Sequence, residues 1–209
     1  MKNLINKIAI GITGILCLVM IYGFYTLSNV NLTYEDKTLS KTIEAESYCK
    51  KNNFNEDFCI LIDMSIHSGK NRFRVYDFNQ NKIIQSFQVS HGCGNNSWSS
   101  DNTKTDPIFS NTVDSHLSSL GKYAIGDRGW SSWGVNINYK LHGLEKSNSN
   151  AYNRYIVLHS WSQITDFEMY PYGTSEGWGC PALSNNNFKT LDKLLKKQTK
   201  PTLMWIYNK

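Results

Sequence analysis

The chain has 209 residues, of which 40% are hydrophobic and 13% aromatic, enough to form one well-packed domain and too few to form two. Its formal net charge of +5 is mild, and the sequence contains neither a run of Lys and Arg nor a basic helix stripe. The charge permits weak attraction to an anionic wall or membrane surface, and nothing in it indicates binding to nucleic acid.

The N-terminal residues have the pattern of a membrane anchor. Lys2 and Lys7 precede Ile8 to Leu27, a run of 20 residues without a charge, which is about the length that spans a bilayer core. No small-residue cleavage site follows, so the pattern favours an uncleaved anchor over a signal peptide. The positive-inside rule then places the chain after Asn29 outside the cell. We expect residues 1–28 to be an anchor with a transmembrane helix at about 8–27, and the protein to be a single-pass membrane protein.

Residues 29–57 are predicted to be a polar spacer that ends in a lead-in helix, from about Leu39 to Lys50. Cys49 and Cys59 lie on either side of the start of the next region. In an exported chain these two cysteines can form a disulfide or remain free thiols, and their spacing leaves both possibilities open.

Short β-strands dominate residues 58–209, the predicted catalytic domain. The strands are recognised by apolar runs or by alternation of apolar and polar residues, and the helix by apolar spacing after a capping Ser184 and before Pro201. The predicted strands are Cys59–Asp63, Arg72–Phe78, Lys82–Ser90, Gly121–Gly126, Tyr139–His142, Tyr155–Leu158 and Thr202–Tyr207. Many short strands with one late helix predict a mainly-β sandwich or barrel with a few short helices.

Two residues that carry chemistry lie near the C-terminal end of this region. His159 ends an apolar run, and Cys180 lies in the tight turn Gly177–Pro181, which should present its thiol. A thiol beside an imidazole ionises and attacks acyl carbons, and the N–H groups of Gly179 and Cys180 are suited to hold the resulting oxyanion. Taken singly, each side chain is more often a buried structural residue.

Several segments in order resemble the L,D-transpeptidase (YkuD-like) family, whose members cross-link bacterial peptidoglycan in cell wall biogenesis. The resemblance covers the chain from about Phe58 to Leu183. The matching segments are Leu61–Phe73, Val89–Gly92, Phe109–Asn111, Ser115–Gly121, Leu141–Glu145 and Gly177–Leu183.

The resemblance implies a transferase with a cysteine nucleophile, acting on peptidoglycan stem peptides. Cys180 would form a thioester and release a terminal D-alanine, His159 would move the proton, and Gly179 would help to hold the oxyanion. The implied substrate-binding residues are Trp178, His116, Ser118 and Ser119. The implied chemistry needs no cofactor and no metal. The catalytic domain would lie on the periplasmic or extracellular side of the membrane.

Two residues depart from the family pattern. Gly177 stands where the family usually has Ser, and Cys93 follows His91-Gly92 where a small or polar residue is usual. If the position of Gly177 acts through its carbonyl, by holding the far nitrogen of His159, then glycine can serve there. If it acts through a hydroxyl, glycine lacks the group that acts there.

Three other interpretations remain beside the transpeptidase. Water could accept the acyl group, which would make the protein an L,D-carboxypeptidase or endopeptidase. A site that has lost its geometry would leave a catalytically silent wall-binding module. A zinc site formed by His91, Cys93, His159 and Cys180 is disfavoured, because these residues are scattered and form no metal-binding motif.

Overall fold

The computed structural model describes residues 13–23 and 39–208. The chain divides into two compact units, residues 1–44 and 45–209. In the first unit, residues 13–23 are helical (α1), with side chains that are almost all exposed. No helix in these two described ranges combines the length and apolarity needed to cross a membrane. The other positions of the predicted span, 8–12 and 24–27, lie outside the described residues.

The second helix, α2, covers residues 39–51, where the sequence predicts a helix from about Leu39 to Lys50. Eight strands and a third helix follow. They are β1 (Phe58–Asp63), β2 (Phe73–Asp77), β3 (Lys82–Phe87), β4 (Gly121–Trp130), β5 (Ile137–Gly143), β6 (Val157–Ser160), β7 (Ala182–Leu183), α3 (Asn185–Leu195) and β8 (Thr202–Tyr207), with a 3₁₀ turn at Lys146–Asn148.

The eight strands form one mixed sheet in the order β3-β2-β1-β8-β4-β5-β6-β7. The last strand, β8, lies near the centre, parallel to β1 and antiparallel to β4. The short strand β7 pairs in parallel with β6 at the far edge. The order of the strands along the chain is therefore different from their order in the sheet, and the N- and C-terminal parts of the domain are joined through β8.

One apolar core receives side chains from all eight strands, so the sheet curls around it in a barrel-like arrangement. Helix α3 contributes Phe188, Leu191 and Leu195 to the same core. Ser184 caps this helix as predicted, because its hydroxyl accepts the N–H of Asn187 at 3.2 Å. The mainly-β prediction is confirmed.

A second apolar cluster covers the other face of the central strands. Cys49 and Cys59 both lie in it, alongside Leu61 and Trp205. Both cysteines are buried free thiols, so the disulfide that the sequence left open is not formed. Burial raises the pKa of the Cys49 thiol to about 12, and it also raises the pKa of Cys59.

The predicted strand at Tyr155–Leu158 was wrong by two residues. Tyr155 has a φ of +56° and is 86% exposed, and β6 begins only at Val157. The sequence placed Tyr155 in the apolar run because its aromatic ring fits a strand pattern, but its backbone lies in the left-handed turn that ends the preceding loop. The two-residue strand β7 was missed, since two residues give no periodicity.

Candidate functional site

The pairing of β6 with β7 brings His159 next to the Cys180 turn. In this parallel register His159 pairs with Ala182, and its N–H donates to the carbonyl of Pro181 at 3.3 Å. The side chains of His159 and Cys180 line one pocket together with Trp178. Residues that are 21 positions apart in sequence therefore meet at the edge of the sheet.

The hydrogen bond of His159 defines its tautomer. Its Nδ1 lies 2.9 Å from the carbonyl oxygen of Ser160, and a carbonyl only accepts, so Nδ1 carries a proton and donates it. In the neutral ring Nε2 therefore holds the lone pair and can act as a base. Burial lowers the pKa of His159, against the bond to Ser160, which raises it.

Cys180 is half-buried at the end of the turn, and its sulfur accepts the N–H of Val157 at 3.4 Å. Burial raises the pKa of the thiol, while the Val157 N–H and the positive charge of Arg154 lower it. Desolvation thus opposes ionisation of the thiol, whereas the Val157 N–H and the Arg154 charge favour it.

Gly179 occupies a position that only glycine fits. Its φ is +95°, and a Cβ built there would lie 2.5 Å from the carbonyl oxygen of Leu117. Within residues 39–208, the N–H groups of Gly179 and Cys180 make no hydrogen bond to the protein. Both donors are available to a ligand, as an oxyanion site requires.

The loop that contains the other predicted substrate-binding residues packs against this turn. Ser118 donates to the carbonyl of Gly179 at 3.1 Å and accepts the N–H of Gly92. His116 has a φ of +54° and stacks on Trp178, with ring centroids 5.2 Å apart. Ser119 donates to the carbonyl of Ser110 at 2.8 Å. The structure therefore places His159, Trp178 and Gly179 beside Cys180, with His116 on Trp178 and Ser118 on Gly179, whereas Ser119 contacts Ser110 and Arg154 and no residue of the Cys180 turn.

The carbonyl of Gly177 does not hold the far nitrogen of His159, which was one of the two roles that the sequence left open. That carbonyl accepts the N–H of Cys93 at 2.7 Å, and Ser160 holds the far nitrogen of His159 instead. The position has no positive φ, and a Cβ there would meet only the Trp161 ring, at 3.8 Å. Nothing in the backbone therefore requires glycine at 177.

Ser90 is a site residue that the sequence reasoning missed. Ser90 is completely buried. Its hydroxyl donates to the carbonyl of Cys180 at 3.1 Å and accepts the N–H of Ala182 at 2.9 Å. It thereby fixes the residues on either side of Pro181. The available signal was its place in the Val89–Gly92 segment, one of the stretches that carry the family resemblance.

Arg154 lies in the segment that precedes β6 and links it to the neighbouring loop. Its guanidinium is half-buried and donates to the carbonyls of Ser110 and Leu117 and to the hydroxyls of Ser115 and Ser119. These four bonds tie the loop around residues 110–119 to the segment that precedes β6.

Indole rings form the walls of the pocket beside Cys180. Trp98, Trp133 and Trp161 contact one another, with centroid separations from 4.9 to 6.5 Å, and Trp178 lies at the mouth. Among the described residues that line this pocket, Ser90 contributes a hydroxyl beside the His159 and Cys180 side chains, and the others are four Trp, one Gly and one Ala. The pocket presents a largely apolar surface to whatever reaches the sulfur.

A buried polar network lies behind the Cys180 turn. Arg72 donates to Nδ1 of His91 at 2.8 Å, and since arginine only donates, this nitrogen accepts and Nε2 carries the proton. Nε2 lies 2.8 Å from the hydroxyl of Thr103, which donates to the carboxylate of Glu176 at 2.9 Å. Arg72, His91 and Glu176 are fully buried, and burial with the Arg72 charge lowers the pKa of His91.

This network removes the basis of the zinc alternative. Both ring nitrogens of His91 are engaged within it, so His91 is not a ligand facing Cys180. Among the described residues, no group of three or more His, Cys, Asp or Glu is arranged to hold a metal ion.

Three solved structures to which this chain is similar are the following. The L,D-transpeptidase of Xylanimonas cellulosilytica DSM 15894 is 12% identical, with a TM-score of 0.39 over 72% of this chain and 60% of that one. The helical cell shape determining protein Pgp2 of Campylobacter jejuni is 15% identical, with a TM-score of 0.44 over 74% and 49%. The Ldtfm-avibactam carbamoyl enzyme is 12% identical, with a TM-score of 0.42 over 74% and 50%. This chain thus spans about half to three-fifths of their lengths.

The comparison with protein families gives a match over most of the chain. The family model described as L,D-transpeptidase catalytic domain, YkuD_2, covers residues 30–207. No curated protein matches the chain. The matched range contains every strand of the sheet and both residues of the Cys180–His159 pair. The chain belongs to the L,D-transpeptidase catalytic domain family.

Proposed function

We propose that this protein is an L,D-transpeptidase that acts on peptidoglycan stem peptides through a thioester on Cys180. One observation carries the proposal: Cys180 shares a pocket with His159, whose Nε2 lone pair is available as a base. The two N–H groups at Gly179 and Cys180 supply the oxyanion donors. Membership of the family supports the peptidoglycan substrate class.

The reaction would proceed in two steps. His159 Nε2 takes the thiol proton, and the sulfur attacks the carbonyl that follows the L-centre of the diamino residue in a tetrapeptide stem. The C–N bond to the terminal D-alanine breaks, and its nitrogen takes the proton from His159. An acceptor amine then attacks the thioester and gives a proton to Nε2, which returns it to the departing sulfur.

The walls of the pocket favour an amine over water as the acceptor. An apolar lining of indole rings holds few water molecules near the thioester, so hydrolysis competes poorly with a bound amine. Trp178 and His116 stack at the rim, where they would contact the peptide stem. This lining favours transfer of the acyl group to an amine over its hydrolysis by water, and so favours the transpeptidase over the carboxypeptidase alternative.

The test is muropeptide mass spectrometry after incubation of the full chain, in detergent, with disaccharide-tetrapeptide. We expect cross-linked dimers together with released D-alanine. Cys180→Ala should abolish both products, and Cys93→Ala, which removes another buried thiol, should retain them. Tripeptide without dimers would identify a hydrolase. Unchanged substrate with every variant would contradict catalysis and favour the wall-binding module.

The uncharged run Ile8–Leu27 supports a further part of this proposal, namely a membrane anchor with the catalytic domain on the periplasmic or extracellular side. In cell fractionation, the full chain should remain with membranes after a high-pH carbonate wash. A chain that lacks residues 8–27 should be lost from that fraction. Recovery of the full chain in the wash would contradict anchoring.

A further inference from the structure

The guanidinium of Arg154 makes four hydrogen bonds, all to uncharged oxygens. Nη1 donates to the carbonyl of Ser110 at 3.0 Å and to the hydroxyl of Ser119 at 2.7 Å. Nη2 donates to the carbonyl of Leu117 at 2.5 Å and to the hydroxyl of Ser115 at 3.3 Å. In the described part of the chain, no carboxylate forms an ion pair with this residue. Its positive charge is therefore held by hydrogen bonds, and among the described residues the nearest negative charge that acts on it, Asp114, lies beyond ion-pair distance.

These bonds also limit what Arg154 can do. The four N–H groups of its two terminal nitrogens are used within the protein, so no bidentate fork remains to receive a substrate carboxylate. A half-buried arginine with this geometry acts through the groups it holds and through its charge.

The groups that Arg154 holds and its positive charge both lie close to Cys180. Nη2 lies 3.4 Å from the point where a Cβ on Gly179 would stand, directly before Cys180 in the chain. The carbonyl of Leu117, which Nη2 holds, is the group that packs closest to Gly179. Ser118, in the same tethered loop, binds the Gly179 carbonyl. Arg154 thus supports one wall of the oxyanion site.

The charged and titratable groups around the sulfur come from four places. His159 faces it from β6, Arg154 from the segment before β6, and Tyr123 from β4, while Asp114 faces Arg154 from the tethered loop. Burial raises the pKa of both Tyr123 and Cys180. The Tyr123 hydroxyl and the Cys180 thiol therefore both stay protonated and uncharged near neutral pH. Arg154 is the permanent cation of this group.

We propose that Arg154 is a positioning residue for Cys180, which holds the Ser115–Ser119 loop against Gly179 and supplies the positive charge that stabilises the thiolate. The charge would also stabilise the anionic tetrahedral intermediate. That second effect rests on the proposed acyl transfer, whereas the effect on the thiolate does not.

The test follows alkylation of Cys180 by iodoacetamide across pH, read by peptide mass spectrometry so that the other cysteines do not contribute. Arg154→Met should slow alkylation near neutral pH about tenfold and move the profile to higher pH, since removal of one nearby opposite charge shifts a pKa by about one unit. Arg154→Lys retains the charge and should restore most of the alkylation rate. It loses the fork, so its transfer activity should remain low. Arg128→Met removes an arginine paired with Asp192 at 2.8 Å and should leave the profile unchanged.

The outcomes separate the two proposals. An alkylation profile of Arg154→Met that matches the unsubstituted chain would overturn the role of Arg154. Equal profiles for Arg154→Lys and Arg154→Met would also overturn it, because a merely structural residue would not distinguish retained from lost charge. Alkylation needs neither donor nor acceptor, so a chain that follows the expected alkylation pattern but forms no cross-links contradicts only the proposed function.

Discussion

Burial at the nucleophile works against the charges that the proposed reaction needs. It raises the pKa of Cys180 and lowers the pKa of His159, so the resting pair is thiol and neutral imidazole. The bond from His159 Nδ1 to Ser160 leaves Nε2 unprotonated in that state. The pair therefore has a base and an acid in the correct protonation states before substrate binds. The thiolate and the imidazolium form only when the sulfur attacks the substrate, so the free-energy cost of separating these charges is part of that step.

The two glycines of the turn should respond differently to substitution. Gly179→Ala forces a side chain into a φ of +95° and to within 2.5 Å of the Leu117 carbonyl. We expect a loss of roughly 1–3 kcal/mol in the free energy of unfolding and loss of transfer activity. Gly177→Ser meets only the Trp161 ring, at 3.8 Å. It should change the free energy of unfolding by less than about 0.5 kcal/mol and preserve activity.

Urea denaturation and the cross-linking assay measure these two effects, and the glycines serve as controls for each other because they lie two residues apart. A stable and active Gly179→Ala variant would contradict the oxyanion assignment. A large gain of activity in Gly177→Ser would mean that the hydroxyl usual in the family contributes to catalysis.

Cys180, His159 and Gly179 were candidates from local pattern alone, because an apolar run that ends in His and a glycine-rich turn around Cys each occupy a few consecutive residues. The role of Arg154 has no such local pattern, and Ser90 has only its place in the Val89–Gly92 segment, which does not show what its hydroxyl binds. Ser90 acts on Cys180 across 90 positions, and Arg154 acts on Leu117 across 37. Their roles depend on which loops meet at the sheet edge, and that information is absent from local sequence.

Among the elements, β7 is too short to hold its place through its own ladder. It pairs with β6 over only two residues, and Ser90 supplies bonds to the carbonyl of Cys180 and the N–H of Ala182. The backbone of Ser90 also donates to the carbonyl of Ala182 at 3.0 Å. The segment that follows β3 therefore continues the sheet edge beside β7 and fixes the turn before it.

We expect Ser90→Ala to lower the free energy of unfolding by about 1–3 kcal/mol, because it leaves two buried backbone groups without their hydroxyl partner. Alkylation of Cys180 should also slow, since the turn loses its anchor. Ser86→Ala, an exposed serine on β3, should change neither quantity. Urea denaturation and iodoacetamide kinetics measure both. Unchanged stability in Ser90→Ala would contradict the bracing role.

Strands with long apolar or alternating runs were predicted well, and those set by tertiary contacts were not. The predicted closing strand Thr202–Tyr207 matches β8, and the predicted first two strands match β1 and β2 within one residue. The prediction for β3 extended three residues too far, because Gln88 to Ser90 leave the ladder to reach the Cys180 turn. The position of β8 between β1 and β4 has no local signal at all.

The stability of the whole molecule in acid depends on two buried histidines that stay neutral in the folded state. Arg72 donates to His91 within a fully buried network, and His159 is also buried, so both folded-state pKa values lie below that of the unfolded chain. Well above pH 6.5 the two histidines are neutral in both the folded and the unfolded chain, so their protonation does not change the free energy of unfolding with pH. Below it, the unfolded chain binds protons that the folded chain does not, so acid favours unfolding.

Urea denaturation at about pH 7, 6 and 5 should therefore show a falling free energy of unfolding, by up to about 1.4 kcal/mol per pH unit for each histidine. His91→Gln keeps an acceptor for Arg72 and a donor for Thr103, and it cannot be protonated in this range. It should flatten the pH dependence, whereas His142→Gln, at an exposed ring stacked on Tyr152, should not. An equal slope in His91→Gln and the unsubstituted chain would contradict a neutral buried His91.

The central position of β8 has a consequence for the order in which the domain is made. During synthesis from the N-terminus, β1–β3 and β4–β7 emerge before the strand that joins them. The first group leads into Ser90 and the second provides His159 and Cys180, and within the sheet the two groups are joined only by Thr202–Tyr207. The sheet that carries the candidate reactive centre therefore has no central strand until β8 has been synthesised, and the pairing of β8 with β1 and β4 comes after that point.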